Sequence, residues 1–423
     1  MKKFLLASLL GALVLGLWTV PSQAGELDAL LDKLVNKGVL TAGEAAAVKE
    51  EAVHEASNQQ MANNGGFNLP DWVQKMKLKG DFRLRYEYDH KHMTADARER
   101  GRIRLRFGVE TKVADQVKVA FGLATGGSDS RSTNQTLQDF FSTPDIRLDY
   151  AYAEYKPTSD ISVVGGKFSR GAYLWAPTDL LWDGDIRPDG MAFHVGHSLA
   201  DDLKGWVNGG VWILDENGTA DMPDPFLPYV QGGLAYKHDK VDAKVATTYY
   251  AFQGVKGLSS LDNSASTNTG AATGLQSTYR SIGASAEVGF HDIFGGLPLH
   301  ADERIAFFGD YIHNLDNTMI KSGLNGWAFG FKFGNKKVSD PGTWQFKYIK
   351  AVLGKDAFLD TFPDSDRYGG GTDIYSNECI LEYALKKNII LGLDYYNSRG
   401  WSSTNTNRKK TDHLLQADLV LKF

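Results

Sequence analysis

Apolar and charged residues alternate strictly along residues 76–88. Leu78 and Phe82 lie on one parity of the sequence, and Lys79 and Arg83 lie on the other. Successive side chains of a strand point to opposite faces, so this pattern predicts a strand with one apolar and one charged face. The stretch is longer than the roughly 9–11 residues that a tilted strand needs to cross a membrane. We therefore predict that its apolar face meets lipid and its charged face meets water.

The same alternation recurs in sixteen segments of the chain. They span residues 76–88, 101–111, 117–126, 145–156, 161–168, 190–199, 204–214, 227–238, 240–253, 277–290, 300–314, 325–334, 343–352, 373–384, 389–396 and 412–423. The connections after the odd-numbered segments are long, and those after the even-numbered segments are short. Outer-membrane barrels sort their loops in this way, whereas a soluble sandwich has no reason to do so. The pattern predicts an all-β fold, a transmembrane antiparallel β-barrel of about 16 strands within residues 67–423.

The start of the chain predicts export. Two lysines precede an apolar run from Phe4 to Trp18, and small residues then lead to a cleavage site after Ala24. The run is shorter than the ~20 residues of a membrane-spanning helix, so residues 1–24 predict a secretory signal peptide rather than an anchor. An exported protein without another long apolar segment is periplasmic, secreted or in the outer membrane.

Residues 25–66 predict a separate helical unit. Leucines keep helical spacing up to Gly38, where a helix should end, and Thr41 with Glu44 forms a capping box for a second helix. We expect a short periplasmic α-helical hairpin followed by a flexible linker. Two roles remain open for this segment: self-association or contact with the cell wall, and a solvated appendage.

Composition excludes several other classes of protein. The single Cys379 cannot form a disulfide within the chain. The formal net charge of −5 gives no case for a nucleic-acid partner. Ligand spacing of the zinc type is absent from the sequence, and we expect no cofactor and no metal.

Cations cluster on the polar parity of the first two predicted strands. They are Lys77, Lys79, Arg83, Arg85, Arg102, Arg104 and Arg106. Exposing an arginine to lipid at the bilayer midplane costs roughly 2–4 kcal/mol, so this face should point into the lumen. We expect these residues to form a pore-lining basic wall that favours anions locally.

The third long loop, residues 169–189, has the composition of a structured segment. Its candidate constriction residues are Trp175, Asp179, Trp182, Asp183, Asp185 and Arg187. A sixteen-stranded lumen is wide enough to hold water and needs narrowing, so we expect this loop to fold inward and to set acidic residues opposite the basic wall. Opposed charges of this kind predict only weak net ion selectivity. The alternative is an external loop packed on its neighbours.

The last predicted strand ends the sequence on Phe423. A terminal aromatic residue on an alternating strand resembles the signature that the barrel assembly machinery reads in Gram-negative outer-membrane proteins. The blocks that carry a wider resemblance are Gly101-Arg-Ile-Arg-Leu-Arg-Phe-Gly108, Ala124-Thr-Gly-Gly-Ser-Asp-Ser130 and Leu180-Leu-Trp-Asp-Gly-Asp185. With the leader and the hairpin, they are similar to the putative porin family of proteobacterial outer membranes.

The resemblance implies a pore in the cell outer membrane. Its expected partners are outer-membrane lipid and lipopolysaccharide, the assembly machinery and small hydrophilic solutes, with a possible homotrimer by analogy with general porins. The family offers no catalytic residues to carry over. We predict a porin for passive diffusion of ions and small hydrophilic solutes, and not an enzyme.

Two functions from other classes compete with the porin. A lipid hydrolase would need a serine beside a histidine base, and His197-Ser198 is the nearest pair, but neighbouring strand residues face opposite ways. The second is a structural sheath around a periplasmic electron carrier, which a barrel that does not conduct and co-purifies with a haem protein would support. The aspartates of the third loop could hold Ca²⁺, although they lack a calcium-loop pattern and are expected to form a solvated acidic loop.

Overall fold

A computed structural model describes residues 71–94, 96–218, 224–259, 261–292, 303–316 and 322–423. Its contacts divide the chain into two units, Met1–Gln74 and Lys75–Phe423. The helix α1 (Asp71–Gln74) is the described part of the first unit. The predicted signal peptide 1–24 and helical segment 25–66 lie outside the described residues and stay predictions. None of the helices in the described residues is long and apolar enough to cross a membrane.

The second unit is built from antiparallel strands. They are β1 (Lys77–His90), β2 (Arg98–Ala114), β3 (Val117–Thr125), β4 (Gln135–Thr136), β5 (Ile146–Tyr155), β6 (Ile161–Lys167), β7 (Asp189–Ala200), β8 (Leu203–Ile213), β9 (Phe226–His238), β10 (Val241–Tyr250), β11 (Ser281–His291), β12 (Glu303–Asn314), β13 (Asn325–Asn335), β14 (Trp344–Leu353), β15 (Ile374–Lys386), β16 (Ile389–Gly400) and β17 (Thr411–Lys422). Within the described loops, Arg170–Ala172 forms a single turn of 3₁₀-helix, whereas Asp139–Phe141 and Tyr368–Gly370 form turns with positive φ angles.

The sheet closes on itself. Each long strand pairs with its neighbours in sequence, and β1 pairs with both β2 and β17, with Phe82 opposite Leu421. The two-residue β4 only adds to the rim beside β2, so β3 pairs directly with β5. The result is a closed barrel of sixteen long strands among the described residues, which confirms the predicted all-β antiparallel barrel. Closure leaves no strand edge unpaired, which a lipid environment requires.

The two faces of the strands differ in the way that the alternation predicts. On β12, Phe307 is 39% exposed on the outer face, whereas its neighbour Phe308 is 2% exposed on the inner face. Large apolar side chains are exposed outward all around the barrel. Examples are Leu105, Phe121, Phe193, Val211, Leu234, Phe329, Leu381 and Leu393. An exposed apolar belt of this kind suits lipid rather than water.

The boundaries differ from the prediction where loops enter the lumen. We predicted strands over 240–253 and 277–290, but β10 ends at Tyr250 and β11 begins at Ser281. Residues between them, including Phe252 and Tyr279, pack into an apolar cluster with other loops. Alternation alone cannot distinguish such buried loop residues from the ends of strands.

Membrane topology is tested by epitopes in two dilysine sites at opposite ends of the barrel. Lys409 and Lys410 are exposed in the long loop before β17, and Lys386 and Lys387 lie at the short turn after β15. We expect an epitope inserted after Lys409 to be labelled on intact cells, and one inserted after Lys387 to be labelled only after permeabilisation. The opposite pattern would invert the orientation. The long loop 254–276 is a less suitable place for an epitope near Asn268. Asn268 is buried, and its Nδ2 donates to the carbonyl of Phe358 at 2.9 Å.

Candidate functional site

The third loop, between β6 and β7, makes its contacts with inward-facing residues of the barrel wall. The backbone N–H of Trp175 donates to Gln231 of β9 at 2.8 Å. The backbone N–H of Thr178 donates to Asp310 of β12 at 2.9 Å. The strand β12 lies five strands beyond β7 in the sheet order, so the loop extends into the lumen rather than over its rim.

An apolar cluster inside the barrel holds the loop in place. Trp182 is 1% exposed, and its ring lies 5.2 Å from that of Trp212 on β8 and 5.4 Å from that of Phe358. Phe362 packs at 4.8 Å. Each such buried side chain contributes about 1.5–3 kcal/mol through its apolar area. The cluster therefore fills the part of the lumen beside β8 to β14 with packed apolar side chains.

A second loop, residues 354–373, supports the third loop from the opposite wall. The backbone N–H of Asp183 donates to the carbonyl of Phe362 at 2.8 Å, and the backbone N–H of Ser365 donates to the Asp183 carboxylate at 2.9 Å. In the sequence, this stretch is one of the long connections that follow the odd-numbered segments. Its composition could have predicted a structured loop. Phe358, Phe362 and the following acidic residues give the loop 354–373 the same aromatic and acidic composition as the third loop.

Arg367 joins the two loops electrostatically. Its guanidinium lies 2.7 Å from Asp179 of the third loop and also contacts Glu378 of β15, and only 3% of its side chain is exposed. Burial alone would lower the pKa of Arg367, but Asp179 and Glu378 hold it well above its ordinary value. Burial, with Asp179 close by, raises the pKa of the neighbouring Asp364 well above its ordinary value. This group of buried charges, Arg367 with Asp179, Asp364 and Glu378, thus contains more carboxylates than cations.

The predicted basic wall faces inward, and its arginines are paired with carboxylates. Arg85 contacts Asp418 of β17 at 2.7 Å, and Arg104 contacts Asp81 of β1 at 2.7 Å. The other pairings are Arg83 with Asp418 and Asn134, Arg102 with Glu87, Arg106 with Asp81, and Lys79 with Glu110. Lys77 is exposed at the short-turn end. Acids are interleaved with the predicted cations on this face, and the prediction of a basic wall was based on the cations alone.

The third loop meets this wall at Asp185. Its carboxylate lies 3.2 Å from Arg106 and accepts the backbone N–H of Thr133 at 3.0 Å. Burial would raise the pKa of Asp185, but Arg106 and Arg104 hold it below its ordinary value. Arg187 of the same loop contacts Asp149 at 3.6 Å. A polar cavity of about 300 Å³ beside this contact has a lining that includes Asp185, Arg187, Asp149, Thr133, Ser128, Lys167 and Arg147.

The expectation of a solvated acidic third loop is wrong for most of its aspartates. Asp183 is buried, and Asp179 and Asp185 are engaged with Arg367 and Arg106. Asp189, now the first residue of β7, contacts Lys167 at 2.8 Å. No group of three metal-ligating side chains occurs among the residues that the structure describes. Asp185 therefore holds the third loop to the wall, and Asp179 and Asp183 hold it to the loop 354–373.

The His197-Ser198 pair does not form a nucleophile and base. Both residues lie within β7, where successive side chains point to opposite faces. The exposed His197 ring lies 3.4 Å from Asp160 in the neighbouring short turn. The geometry that a lipid hydrolase needs is missing at this pair.

Asp183 should make the channel sensitive to pH. Burial raises its pKa to about 7, although the backbone N–H groups of Ser365 and Asp185 favour the ionised form. A pKa above the unfolded value means that loop docking is strongest at low pH and weakens as pH rises through about 7. We expect cation preference to rise between pH 6 and 8 in a salt-gradient measurement, because ionised Asp183 adds negative charge. The step should vanish in Asp183→Asn and persist in Asp189→Asn.

Comparison with known proteins gives one family and a set of structures. A family model described as a putative porin matches residues 45–95, 90–286 and 259–423. The high-pH structure of OprB from Pseudomonas putida is similar at 12% identity with a TM-score of 0.51, over 83% of this chain and 95% of that one. The Salmonella typhi OmpF structure with daunomycin matches at 12% identity and a TM-score of 0.49, over 82% and 97%. No curated protein matches the chain. The structural similarity concerns the barrel fold.

Proposed function

Because this chain belongs to the putative porin family and is an outer-membrane channel, we propose that ions and small hydrophilic solutes diffuse through a narrow polar passage on one side of its lumen. The passage runs along the inner face of β1 to β5. The third loop and the loop 354–373 form its other boundary. At the level of the third loop, the apolar cluster around Trp182 excludes water from the opposite side of the lumen.

The contact between Arg106 and Asp185 carries this proposal. It sets a loop carboxylate directly against the arginines of the wall at 3.2 Å, beside the polar cavity of about 300 Å³. Fixed charges of both signs across a narrow aqueous path create a transverse field that orients dipolar solutes. Since the arginines are already paired with carboxylates, the net ion selectivity should be weak. Single charges in the passage should then decide whether cations or anions are preferred.

The competing functions fit the structure less well. A sheath would need room for a protein carrier, but the lumen contains the apolar cluster and the two loops. A hydrolase would need a reactive pair on one face of a strand, which His197 and Ser198 do not provide. We therefore propose a channel without catalytic activity.

Several partners belong to the same proposal. The outward apolar belt should be solvated by outer-membrane lipid and lipopolysaccharide. Phe423 exchanges backbone hydrogen bonds with Gly80 of β1 at 2.8 and 3.0 Å, which supports a role for this last residue in assembly and closure of the barrel. By analogy with general porins, we propose a homotrimer. The segment 25–66 is proposed as a periplasmic helical appendage.

The selectivity of the passage is tested at Asp185. Asp185→Asn removes one negative charge beside Arg106 and leaves that arginine with Asp81. We expect the zero-current potential in a salt gradient to move toward anion preference. Asp292→Asn is the matched control, because Asp292 is exposed and paired with Lys240 at 2.8 Å, outside the polar cavity. An equal shift in both variants, or none in Asp185→Asn, would remove Asp185 from the conducting path.

A further inference from the structure

We propose that the lumen holds a binding site for small aromatic carboxylates, formed by Lys244, Trp175 and Trp206 on the wall opposite the arginines. This inference rests on the proposed channel function and adds a solute class to it. The site lies between the third loop and the short-turn end of the barrel. Its cavity of about 330 Å³ is lined in part by Asp160, in a short turn, and by His197, near the end of β7. Small-molecule pockets commonly begin at about 300 Å³.

Lys244 is a lumen cation without a carboxylate partner. It lies on the inner face of β10, and among the described residues no carboxylate oxygen lies within 4.0 Å of its ammonium group. The nearby Glu287 is occupied by Arg304 and Lys332, at 2.8 and 3.0 Å. Lysine and arginine side chains in the interior of a protein normally have a counter-charge. An anion entering the cavity would supply the missing partner.

Two indole rings hold the ammonium group in place. The Lys244 Nζ atom lies 4.5 Å from the Trp175 ring centre and 5.0 Å from that of Trp206. These cation–π contacts orient the lysine but do not neutralise its charge. The same rings give the cavity flat apolar walls. A ligand with one carboxylate and a flat apolar body matches both features, whereas a small inorganic anion matches only the charge.

The neighbouring polar residues keep this arrangement rigid. Gln231 accepts the backbone N–H of Trp175 at 2.8 Å and donates to its carbonyl at 2.8 Å. His194 contacts Asn208 at 2.6 Å at the floor of the cavity. Gly233 provides space for the second indole, because a Cβ atom there would lie 2.3 Å from Cζ2 of Trp206. Binding sites of this kind work because their groups are ordered before the ligand arrives.

Lys118 offers an internal comparison. It also faces the lumen over an aromatic ring, with Nζ 5.6 Å from the ring centre of Tyr152. Its ammonium group is paired with Glu154 at 2.7 Å. An anion gains little there, because the counter-charge is already present. Substitutions at the two lysines can therefore be compared. The comparison separates the effect of an unpaired cation from the effect of any positive charge in the lumen.

The test is single-channel recording of the purified protein in planar bilayers with sodium benzoate added. We expect brief current blocks at concentrations about tenfold below those at which acetate or benzyl alcohol acts, since each control lacks one of the two matching groups. Lys244→Gln should raise the half-blocking benzoate concentration about tenfold. Lys244→Arg, which keeps the charge, and Lys118→Gln should leave it nearly unchanged.

The outcomes separate this inference from the channel itself. A protein without stepwise openings would contradict the proposed function. A conducting protein that benzoate blocks no better than acetate or benzyl alcohol would overturn only the binding site. The site would also be overturned if Lys118→Gln weakened the block as much as Lys244→Gln did.

Discussion

Replacing Arg367 with methionine should release the third loop from the wall of the lumen. The substitution leaves Asp179 and Glu378 buried around an apolar side chain, and breaking a buried ion pair from one side costs about 3–5 kcal/mol. We expect a larger and noisier single-channel conductance. We also expect faster proteolysis within residues 169–189 of the reconstituted protein, whereas the barrel itself stays folded.

The Arg367→Met effect should depend on pH. Because burial raises the pKa of Asp364, this carboxyl is protonated more readily at low pH and then needs no counter-charge. The loop should therefore be released more completely at pH 8 than at pH 5. Lys240→Met is the matched control, since Lys240 is exposed and paired with Asp292 at 2.8 Å. Surface pairs of this kind contribute about 0–1 kcal/mol. Equal behaviour of the two variants would refute the role of Arg367.

Trp182→Ala should have an effect of similar size through packing. The ring is surrounded by Trp212, Tyr250, Phe358 and Phe362, and truncating a buried aromatic side chain costs about 3–5 kcal/mol. We expect water to enter the apolar cluster, so that the conductance increases at every pH between 5 and 8. The lack of pH dependence distinguishes this variant from Arg367→Met.

Trp401→Ala provides the control for packing. Trp401 stacks on Tyr375 at 6.2 Å, and 42% of its surface is exposed. It should leave the conductance of the channel unchanged. A Trp182→Ala channel with wild-type conductance would show that the apolar cluster does not limit the conducting path.

The strands could be predicted from the sequence because their signal is local. In β2, Arg104 faces the lumen and the next residue, Leu105, faces outward. A membrane barrel needs this alternation of polar and apolar residues along nearly every strand. The sixteen predicted segments therefore correspond to the sixteen long strands, with errors of a few residues at their ends. The errors around Phe252 and Tyr279 arise where loop residues leave the wall and pack inside.

The interior could not be predicted in the same way, because it depends on contacts between distant parts of the chain. Nothing near Asp179 in the sequence indicates that its partner is Arg367. Similarly, Asp81 and Glu87 were visible on the polar face of β1, but their pairing with Arg104 and Arg102 requires the strand register. Composition indicated which loop was structured, and only the fold showed what it contacts.

A cysteine-modification experiment tests the narrow passage most directly. Ser128 is exposed in the polar cavity beside Asp185, and the natural Cys379 lies on the outer face of β15. In a Cys379→Ala background, Ser128→Cys channels in planar bilayers should show stepwise openings whose conductance falls when a charged thiol reagent is added. Wild-type channels, with only Cys379, should conduct unchanged under the same reagent. A silent barrel, or a Ser128→Cys channel that reacts with the reagent and conducts as before, would contradict a path along this wall.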